Sequence, residues 1–343
     1  MKITVTELEK KCKDIMMRAG TPERAAQFVA ETLVSADLRG IHSHGVVRLA
    51  RYLDCIKAGG IRPDAEISIL ADTPAMLRAS AAGGLGIPAA CETTLRLIEK
   101  GRKQAVAVAT VNHSDHYGAA GYYAMKCAEA GLIGFSMSNT CPLIAVTGAA
   151  TAGIGNNPFA YAAPAGRYRA VLFDVCMSVV ASGKLILYAA DGKPIPEGWI
   201  LDKNGKPTTD PAEIYDGAIM LPFGGHKGYG LAVMVELLSG VLAGAGVLSG
   251  VHSWNTVPGE DADTGHFFLT LNPEFFGGLE NFVARTEKMI DELVSAPKAD
   301  GADHIYYPGE IEFALEERGR REGLELPAGS LAELERAEKM FPR

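Results

Sequence analysis

The sequence predicts an α/β fold, in which a sheet carries helices on its faces, and two observations lead to that prediction. From residue 67 onward, short β-branched runs alternate with segments of helical hydrophobic spacing. Such alternation is typical of strands connected by helices that pack on the sheet. Glycine is also abundant, with 39 of 343 residues, where an average protein has about 7%. This surplus indicates tight turns and close approaches of the backbone.

The first sixty residues are predicted to be helical and to precede the sheet. Thr6 and Thr21 are suitable N-cap residues, because a hydroxyl accepts hydrogen bonds from the free amides of a first turn. Gly40 and Gly59 stand where these helices would end. The charged C-terminal segment is also expected to be helical. We therefore divide the chain into a helical region, 1–70 with 300–343, and an α/β region, 71–299, without a clear linker between them.

Hydrophobic spacing assigns the remaining elements in order. The predicted strands are 75–79, 106–111, 133–138, 171–175 and 267–271. The predicted helices are 90–100, 119–130, 182–190 and 280–294. Residues 191–222 are rich in turn formers and are expected to cross the surface. Residues 231–251 are apolar over about the length of a membrane span, but Glu236 and several glycines favour a buried core helix.

Charge and cysteine usage exclude several classes of protein. The formal charge of -8 comes without a basic tail or block, so we expect no nucleic-acid and no membrane partner. The N-terminal residues lack the apolar segment of a signal peptide. The cysteines are scattered singly, as is typical of reduced, buried thiols in a cytoplasmic protein. They are Cys12, Cys55, Cys91, Cys127, Cys141 and Cys176.

Two glycine-rich segments are candidates for cofactor binding. Residues 84–89, GLGIPA, fit the dinucleotide pattern G-x-G-x-x-A, but the strand that follows ends in Asn112 and His113 rather than in a ribose-binding acid. A structural glycine turn is therefore favoured there. Residues 224–230, GGHKGYG, place Lys227 before a long helix, where free amides and an ammonium suit a pyrophosphate. A flexible turn with a solvated lysine fits this spacing equally well.

Four of the eight histidines form two close pairs, His42 with His44 and His113 with His116. Either spacing can converge on one metal ion. Histidine also has the unperturbed pKa nearest neutrality, so both pairs are equally candidates for proton transfer. His116 follows a predicted strand and precedes a helix, which places it where open α/β sheets bind ligands.

A third candidate feature is a helical face that begins at His44. Ser43 is predicted to cap a helix over 46–56, and positions i+4 and i+8 from His44 are Arg48 and Tyr52. Such a face would suit a small acid, since a guanidinium binds the carboxylate and a titratable group serves the oxygen. An ordinary solvated helix face is the alternative.

These residues stand in segments that resemble the type-2 malate/L-lactate dehydrogenase family, which includes ureidoglycolate, sulfolactate and diketogulonate oxidoreductases and cyclic-imine carboxylate reductases. The resemblance extends nearly end to end. Its motifs, in order, are GIHSHGVVRLARYLDCIKAGGI (40–61), VNHSDHYGAAGYYA (111–124), GIGNNPFAYAAPA (153–165), FDVCMSVVASGK (173–184), PFGGHKGYGLAVMVELLSGVL (222–242) and YPGEIE (307–312). The resemblance implies a three-layer α/β/α fold with a mixed sheet that is not a Rossmann fold. It also implies a homodimer in which the helical region takes part, and hydride transfer between NAD or NADP and C2 of a small 2-hydroxy or 2-oxo acid.

Site residues follow from their positions in those motifs. The resemblance implies that His116 and His44 are the candidates for proton transfer, that Arg48 binds the substrate carboxylate, and that Tyr52 and Ser43 lie beside the substrate. The implied cofactor contacts are Thr140, the segment from Asp174 to Ser178, His226, Lys227, Gly309 and Glu310, with no metal ligands. Asp115 stands where the family commonly has Asn, and its carboxylate is expected to raise the pKa of His116 if the two groups are close.

The sequence therefore predicts a cytoplasmic NAD- or NADP-dependent dehydrogenase that acts on the CH–OH group of malate-like or lactate-like acids. A metal-dependent hydrolase that uses the histidine pairs as ligands is the alternative from another class. A cyclic-imine carboxylate reductase is the alternative within the family. A non-catalytic binding protein is disfavoured, because His44, Arg48, His116 and Lys227 are all present.

Overall fold

The computed structural model describes residues 2–342, in which strands and helices are mixed along the chain. The strands are β1 (Lys2–Ile3), β2 (Ser68–Asp72), β3 (Met76–Ser80), β4 (Val106–Ser114), β5 (Ile133–Ser138), β6 (Ile144–Ala145), β7 (Ala152–Ile154), β8 (Phe159–Pro164), β9 (Ala170–Val175), β10 (Ile200–Leu201), β11 (Pro207–Thr208), β12 (Ile219–Met220), β13 (Thr264–Leu271) and β14 (Leu324–Glu325). The helices are α1 (Val5–Arg18), α2 (Glu23–Leu38), α3 (Leu49–Ala58), α4 (Gly86–Gly101), α5 (Gly121–Glu129), α6 (Ser182–Ala190), α7 (His226–Glu236), α8 (Leu279–Val294), α9 (Glu310–Glu322) and α10 (Ala328–Met340).

A seven-stranded mixed sheet forms the centre of the fold, in the order β2-β3-β4-β13-β5-β8-β9. β3 and β4 run parallel, and the other neighbouring pairs are antiparallel. β13 enters between β4 and β5, so that Phe268 is paired with Ala109 on one side and Ser136 on the other. A smaller sheet has the order β11-β10-β12-β6-β7, and β1 pairs with β14, which joins the two ends of the chain.

Apolar side chains fill both faces of the seven-stranded sheet. Phe268 points into a core shared with the N-terminal and C-terminal helices, whereas its neighbour Phe267 points into a second core shared with α7 and the smaller sheet. Successive strand residues face opposite sides, so β13 contributes to both cores. The predicted three-layer α/β/α fold with a mixed sheet is confirmed. No helix within residues 2–342 is long and apolar enough to cross a membrane.

The predicted caps of the first two helices are wrong. α1 begins before Thr6, because Thr4 and Glu7 form a reciprocal capping box: the Thr4 hydroxyl accepts the Glu7 N–H, and the Glu7 carboxylate accepts the Thr4 N–H. α2 begins after Pro22, whose ring already fixes the extended entry to the helix, so Thr21 caps nothing. The T-x-x-E signal of the capping box was present in the sequence.

Two central segments also differ from the prediction. Residues 191–222 do more than cross the surface, since β10, β11 and β12 join the smaller sheet and bury Ile200 and Met220. Residues 231–251 do not form one buried helix, because α7 passes into a π-helical turn, Leu237–Val241, and the chain then reverses at Gly244 with φ +72°. Leu242 is 59% exposed. The outer side of this segment is therefore an apolar surface.

The GLGIPA segment has a structural role, as the sequence favoured. It connects β3 to α4 in front of the parallel strand β4, which is the arrangement that a dinucleotide motif would need. A Cβ atom on Gly86, however, would overlap the backbone carbonyl oxygens of Asp115 and His116. Gly86 is thus required where the chain approaches the His116 loop.

Candidate active site

The largest concentration of predicted site residues lines a cavity of about 390 Å³ at one edge of the central sheet. β4, β5 and β9 run in the same direction, because each is separated from the next by one antiparallel strand. Their carboxyl ends therefore open onto the same edge, as predicted for His116. The predicted residues that line the cavity are Ser43, His44, Arg48, His116, Thr140 and Asp174.

One ring nitrogen of His116, Nδ1, is held by two hydrogen bonds. Tyr52 Oη lies 2.7 Å from Nδ1, and the Gly118 N–H donates to the same nitrogen at 3.3 Å. An amide N–H can only donate, so Nδ1 is an acceptor and the proton of the neutral ring is on Nε2. Tyr52 is fully buried, and it contacts the imidazole rather than the cavity.

His44 and His116 belong to different pairs in the sequence but lie close together in the structure. Their ring centres are 5.5 Å apart. Burial, followed by the positive charge of Arg48, lowers the pKa of His44 to about 4. Burial, followed by the charges of His44 and Arg48, holds the pKa of His116 well below its usual value. Both rings are therefore neutral in the free protein at pH 7.

The turn that presents His44 is built around a buried carboxylate. Asp37 accepts the Val46 N–H at 2.8 Å and lies 2.8 Å from His42 Nδ1. A Cβ on Gly45 would overlap that carboxylate. Because His42 is anchored in this way, the chain forms two 3-10 turns, His42–His44 and Val46–Arg48, before α3 begins.

The predicted cap at Ser43 is therefore wrong, and so is the single helical face from His44 to Tyr52. The Ser43 hydroxyl lies 2.9 Å from His44 Nδ1, and the backbone carbonyl oxygen of Ser43 accepts a hydrogen bond of 2.6 Å from Arg48 Nε. The 3-10 turns nevertheless bring His44 and Arg48 to the same cavity.

Arg48 has no carboxylate partner within the described part of the chain. Its guanidinium lies 5.6 Å from the ring centre of Trp254, and burial lowers its pKa. The same indole is stacked on His116, with ring centres 4.5 Å apart and an interplanar angle of 9°. A half-buried guanidinium without an anion is costly, so this side of the cavity favours an anionic ligand.

Trp254 is the site residue that the sequence reasoning missed. It stands in the polar segment HSWNT (252–256), and residues 251–255 line the cavity. The backbone carbonyl of Trp254 accepts from Arg51, and Pro258 approaches Gly60 so closely that a Cβ there would overlap it. A lone indole in a turn-rich loop was the available signal, because loops commonly carry binding residues.

Asp115 does not act on His116 as expected. Its Oδ1 accepts the backbone N–H of His116 at 2.6 Å and does not contact the ring. The prediction that Asp115 raises the pKa of His116 required a carboxylate close to the ring, and that condition is not met; burial and the charges of His44 and Arg48 lower this pKa instead. Burial raises the pKa of Asp115 itself to about 7, against the opposing effect of that backbone hydrogen bond. Its carboxyl group is therefore partly protonated at neutral pH.

The cavity is also lined by groups that suit a ribose. Asp174 accepts the Gly121 N–H at 2.7 Å, and burial raises the pKa of Asp174 to about 6. The Thr140 N–H donates to Asn157 Oδ1 at 3.0 Å, and its hydroxyl donates to Asn156 Oδ1 at 3.2 Å. Apolar walls with a few fixed polar groups are typical of cofactor pockets, and these residues fit a dinucleotide.

The other predicted cofactor contacts lie beside this cavity rather than in its lining. Ser178 is buried, and its segment is tied to the lysine loop, residues 224–230, because the adjoining Phe223 N–H donates to the Met177 carbonyl at 3.0 Å. His226 and Lys227 are exposed in the first turn of α7. Gly309, with φ +99°, precedes α9, and Glu310 accepts the Tyr307 N–H at 3.2 Å.

The histidine pairs do not converge on a metal. His113 is exposed near Asp261 and Asp263, while His42 is bonded to Asp37. Within residues 2–342, no group of three or more His, Cys, Asp or Glu side chains is placed to hold a metal ion.

The guanidinium of Arg48, which favours an anionic ligand, lies beside the neutral imidazole of His116 at the edge of a mixed sheet. This arrangement is typical of an α/β enzyme that acts on a small organic acid. The comparisons with known proteins agree. The family described as malate/L-lactate dehydrogenase matches residues 3–335. The chain belongs to this family. Membership confirms the predicted class, a dehydrogenase of small hydroxy acids that uses a nicotinamide cofactor, and gives no support to a hydrolase.

Three similar proteins illustrate the range of the family. The chain is 39% identical to a malate dehydrogenase from Pyrococcus abyssi over 327 residues, 93% of this chain and 89% of that protein. It is 34% identical to a ureidoglycolate dehydrogenase (NAD(+)) from Escherichia coli O157:H7, over 95% of this chain and 93% of that one. A solved malate dehydrogenase from Entamoeba histolytica superimposes with a TM-score of 0.94 at 30% identity, covering 99% of this chain and 98% of that one.

Proposed function

We propose that His116 exchanges a proton with the C2 oxygen of a malate-like or lactate-like acid, that His44 hydrogen-bonds the same oxygen, and that Arg48 binds the carboxylate. The observation that carries the proposal is the guanidinium of Arg48, which shares an indole with His116 and has no carboxylate partner among the described residues. A carboxylate is the natural partner of such a group, since it accepts two parallel N–H bonds.

Tyr52 serves both protonation states of His116 in this mechanism. The Tyr52 hydroxyl donates to Nδ1 when that nitrogen is bare, and it accepts when Nδ1 gains a proton, in which case the 3.3 Å hydrogen bond from the Gly118 N–H is lost. A bound carboxylate on Arg48 brings negative charge next to the ring, which favours the imidazolium. Binding of the 2-oxo acid thus promotes the protonation that its reduction requires.

NAD or NADP supplies or takes up the hydride when it is bound. We propose that Thr140 and the segment from Asp174 to Ser178 hold the dinucleotide, with further contacts from His226, Lys227, Gly309 and Glu310. Thr140 and Asp174 lie in the same cavity as His116, which supports this arrangement. The indole of Trp254 covers His116 and limits access of water to the reacting side.

The substrate is best identified by absorbance at the reduced-nicotinamide band with both cofactors. The panel contains 2-oxo acids with and without a second acidic group and cyclic imine acids. Turnover of the 2-oxo acids supports the proposal, whereas turnover of only the imine acids would favour the alternative within the family. Full activity after treatment with a chelator separates both from a metal enzyme.

The proton-transfer role is tested with His116→Ala. We expect kcat to fall by about a thousandfold, because a positioned acid or base typically contributes 10²–10⁴. Dinucleotide binding, followed by fluorescence titration, should remain. The matched control is His113→Asn, which replaces an exposed histidine and tolerates its φ of +46°. A near-normal kcat for His116→Ala would refute the assignment.

We also propose a cytoplasmic homodimer, with residues 71–299 binding the ligands and the helical region, 1–70 with 300–343, taking part in the dimer. All six cysteines are free thiols, as is typical of a reducing compartment. An exposed apolar stripe in the α/β region, which would extend the contact made by the helical region, supports association with a second copy. It consists of Leu231, Leu237, Val241, Leu242, Val247 and Leu248, which are 38–59% exposed.

A further inference from the structure

Glu236 is a buried carboxylate in the apolar segment 231–251 and has no role in the proposed mechanism. Glu236 is the last residue of α7 and is 5% exposed. Its Oε1 accepts the Leu248 N–H at 2.8 Å and Asn139 Nδ2 at 3.2 Å, and its Oε2 accepts Asn157 Nδ2 at 2.8 Å. One carboxylate thus joins three segments that are separate in sequence.

Each of these three segments leads to a wall of the cavity. Asn139 lines it and is followed by Thr140. Asn157 Oδ1 accepts the Thr140 N–H, and Asn157 follows the lining residue Asn156. Leu248 lies a few residues before Trp254 in the same segment. The helix that carries Glu236 starts at the lysine loop.

The backbone at two of these contacts is in a conformation that side-chain-bearing residues rarely adopt. Asn157 has φ +31° and Leu248 has φ +51°. Such conformations are strained and persist only where neighbouring groups hold them. Both residues donate directly to Glu236, and a π-helical turn begins immediately after it. Irregularities of this kind are frequent at functional sites.

We propose that Glu236 is a positioning residue. It fixes residues 139–140 and the loop that carries Trp254, residues 252–256, relative to the lysine loop, and so sets the affinity for the dinucleotide. The inference rests on the proposed function in one respect, that Thr140 contacts the cofactor. Glu236 itself does not line the cavity and touches no reacting atom.

The test begins with Glu236→Gln, which keeps the shape but turns one acceptor into a donor facing the Asn157 amide. We expect KM and Kd for the dinucleotide to rise about tenfold, because the unsatisfied buried donor displaces the Asn157 side chain that holds the Thr140 N–H, while kcat changes much less. Hydrogen exchange in the free protein should accelerate in peptides covering 139–141 and 246–256, and stay unchanged in β4.

A second substitution separates positioning from general damage. In Glu236→Gln with Asn157→Asp, the new amide donates to the new carboxylate, which still accepts the Thr140 N–H but no longer donates to the Ala232 carbonyl oxygen, as Asn157 does at 3.0 Å. This pair should therefore recover part of the dinucleotide affinity. Ser239→Ala, in the π-helical turn of the same segment, removes a buried hydroxyl without a hydrogen-bond partner among the described residues and should leave the affinity unchanged.

Two results would overturn the inference. Unchanged dinucleotide affinity and unchanged exchange in Glu236→Gln would show that Glu236 positions nothing. Parallel loss of kcat, affinity and Tm, without recovery in the double variant, would show a general structural role. If the parent protein neither binds dinucleotide nor reduces any acid, the proposed function fails, and hydrogen exchange still decides the role of Glu236.

Discussion

Asp115 shows at the level of one residue how a neighbour in sequence differs from a neighbour in space. Its carboxylate bonds the backbone of His116, whereas the ring nitrogen meets Tyr52 and Gly118. The sequence could place a carboxylate next to the catalytic candidate but could not orient it. The sequence also predicted that His116 would follow a strand at the edge of the sheet, and His116 does line the cavity there, beside His44.

Asp115→Asn should stabilise the protein in a pH-dependent manner. The pKa of Asp115 is raised from its usual value near 3.9 to about 7 in the folded state, so its contribution is fully present below pH 3.9 and is lost as the pH rises through 7. The Asn side chain keeps an acceptor for the His116 N–H and cannot ionise. We expect the Tm difference between variant and parent to grow from pH 4 to 7 and to reach about 5 °C at pH 8.

Calorimetry over this pH range measures the effect. Asp300→Asn, at an exposed position, is the control and should show no such trend. A constant Tm difference at all pH values would contradict the assignment of this titration to Asp115.

At the level of elements, the sequence located strands and helices well and their ends less well. β5 and α6 coincide with the predicted ranges 133–138 and 182–190. The start of α3 differs, because Asp37 holds His42 and Val46 from another helix. That contact is tertiary, so local spacing could not reveal it. The sequence also could not predict that one side of residues 231–248 is exposed, since hydropathy does not show which face a helix buries.

The exposed apolar stripe on α7 and its continuation makes a testable prediction about assembly. Leu237→Glu with Leu242→Glu introduces two charges at positions that are 54% and 59% exposed. Because exposed positions tolerate charge in a monomer but not in an apolar interface, we expect the homodimer to dissociate without loss of the fold. Sedimentation velocity measures the mass and circular dichroism checks the fold. Leu95→Glu, on the surface of α4, is the control, and a double variant that remains dimeric would exclude the stripe from the interface.

At the level of the whole molecule, the order of the strands in the central sheet could not be predicted from local sequence patterns. β13 pairs with β4 and β5, from which it is separated by much of the chain, and antiparallel pairing at such distance leaves no local pattern. The family resemblance supplied the mixed sheet that composition and periodicity did not. A second long-range feature is the buried carboxylate of Glu316, which joins α2, the start of β9 and α9 through Arg39 and Arg169.

Glu316→Gln should loosen the attachment of the C-terminal helices. Burial alone would raise the pKa of Glu316, but Arg39, Arg320 and Arg169 lower it to about 2. Its stabilising contribution is therefore present above the unfolded pKa near 4.3 and is lost as the pH falls through 2. Removing one partner of a buried ion cluster costs about 3 kcal/mol.

We thus expect Glu316→Gln to unfold more easily in urea at pH 7 and to approach the parent in stability toward pH 2. Glu317→Gln, at the exposed neighbouring position, is the control. An equal deficit at both pH values would contradict an electrostatic origin.

The stacking of Trp254 on His116 also gives the protein a built-in optical reporter. The chain has two tryptophans, and the other, Trp199, packs against Tyr188 away from the cavity. With Trp199 replaced by Phe, and with excitation at a wavelength that tyrosine does not absorb, the remaining emission arises from the indole that is stacked on His116. Protonation, arrival of a reduced nicotinamide and movement of the loop would each alter this emission, so single-turnover events are observable without a label.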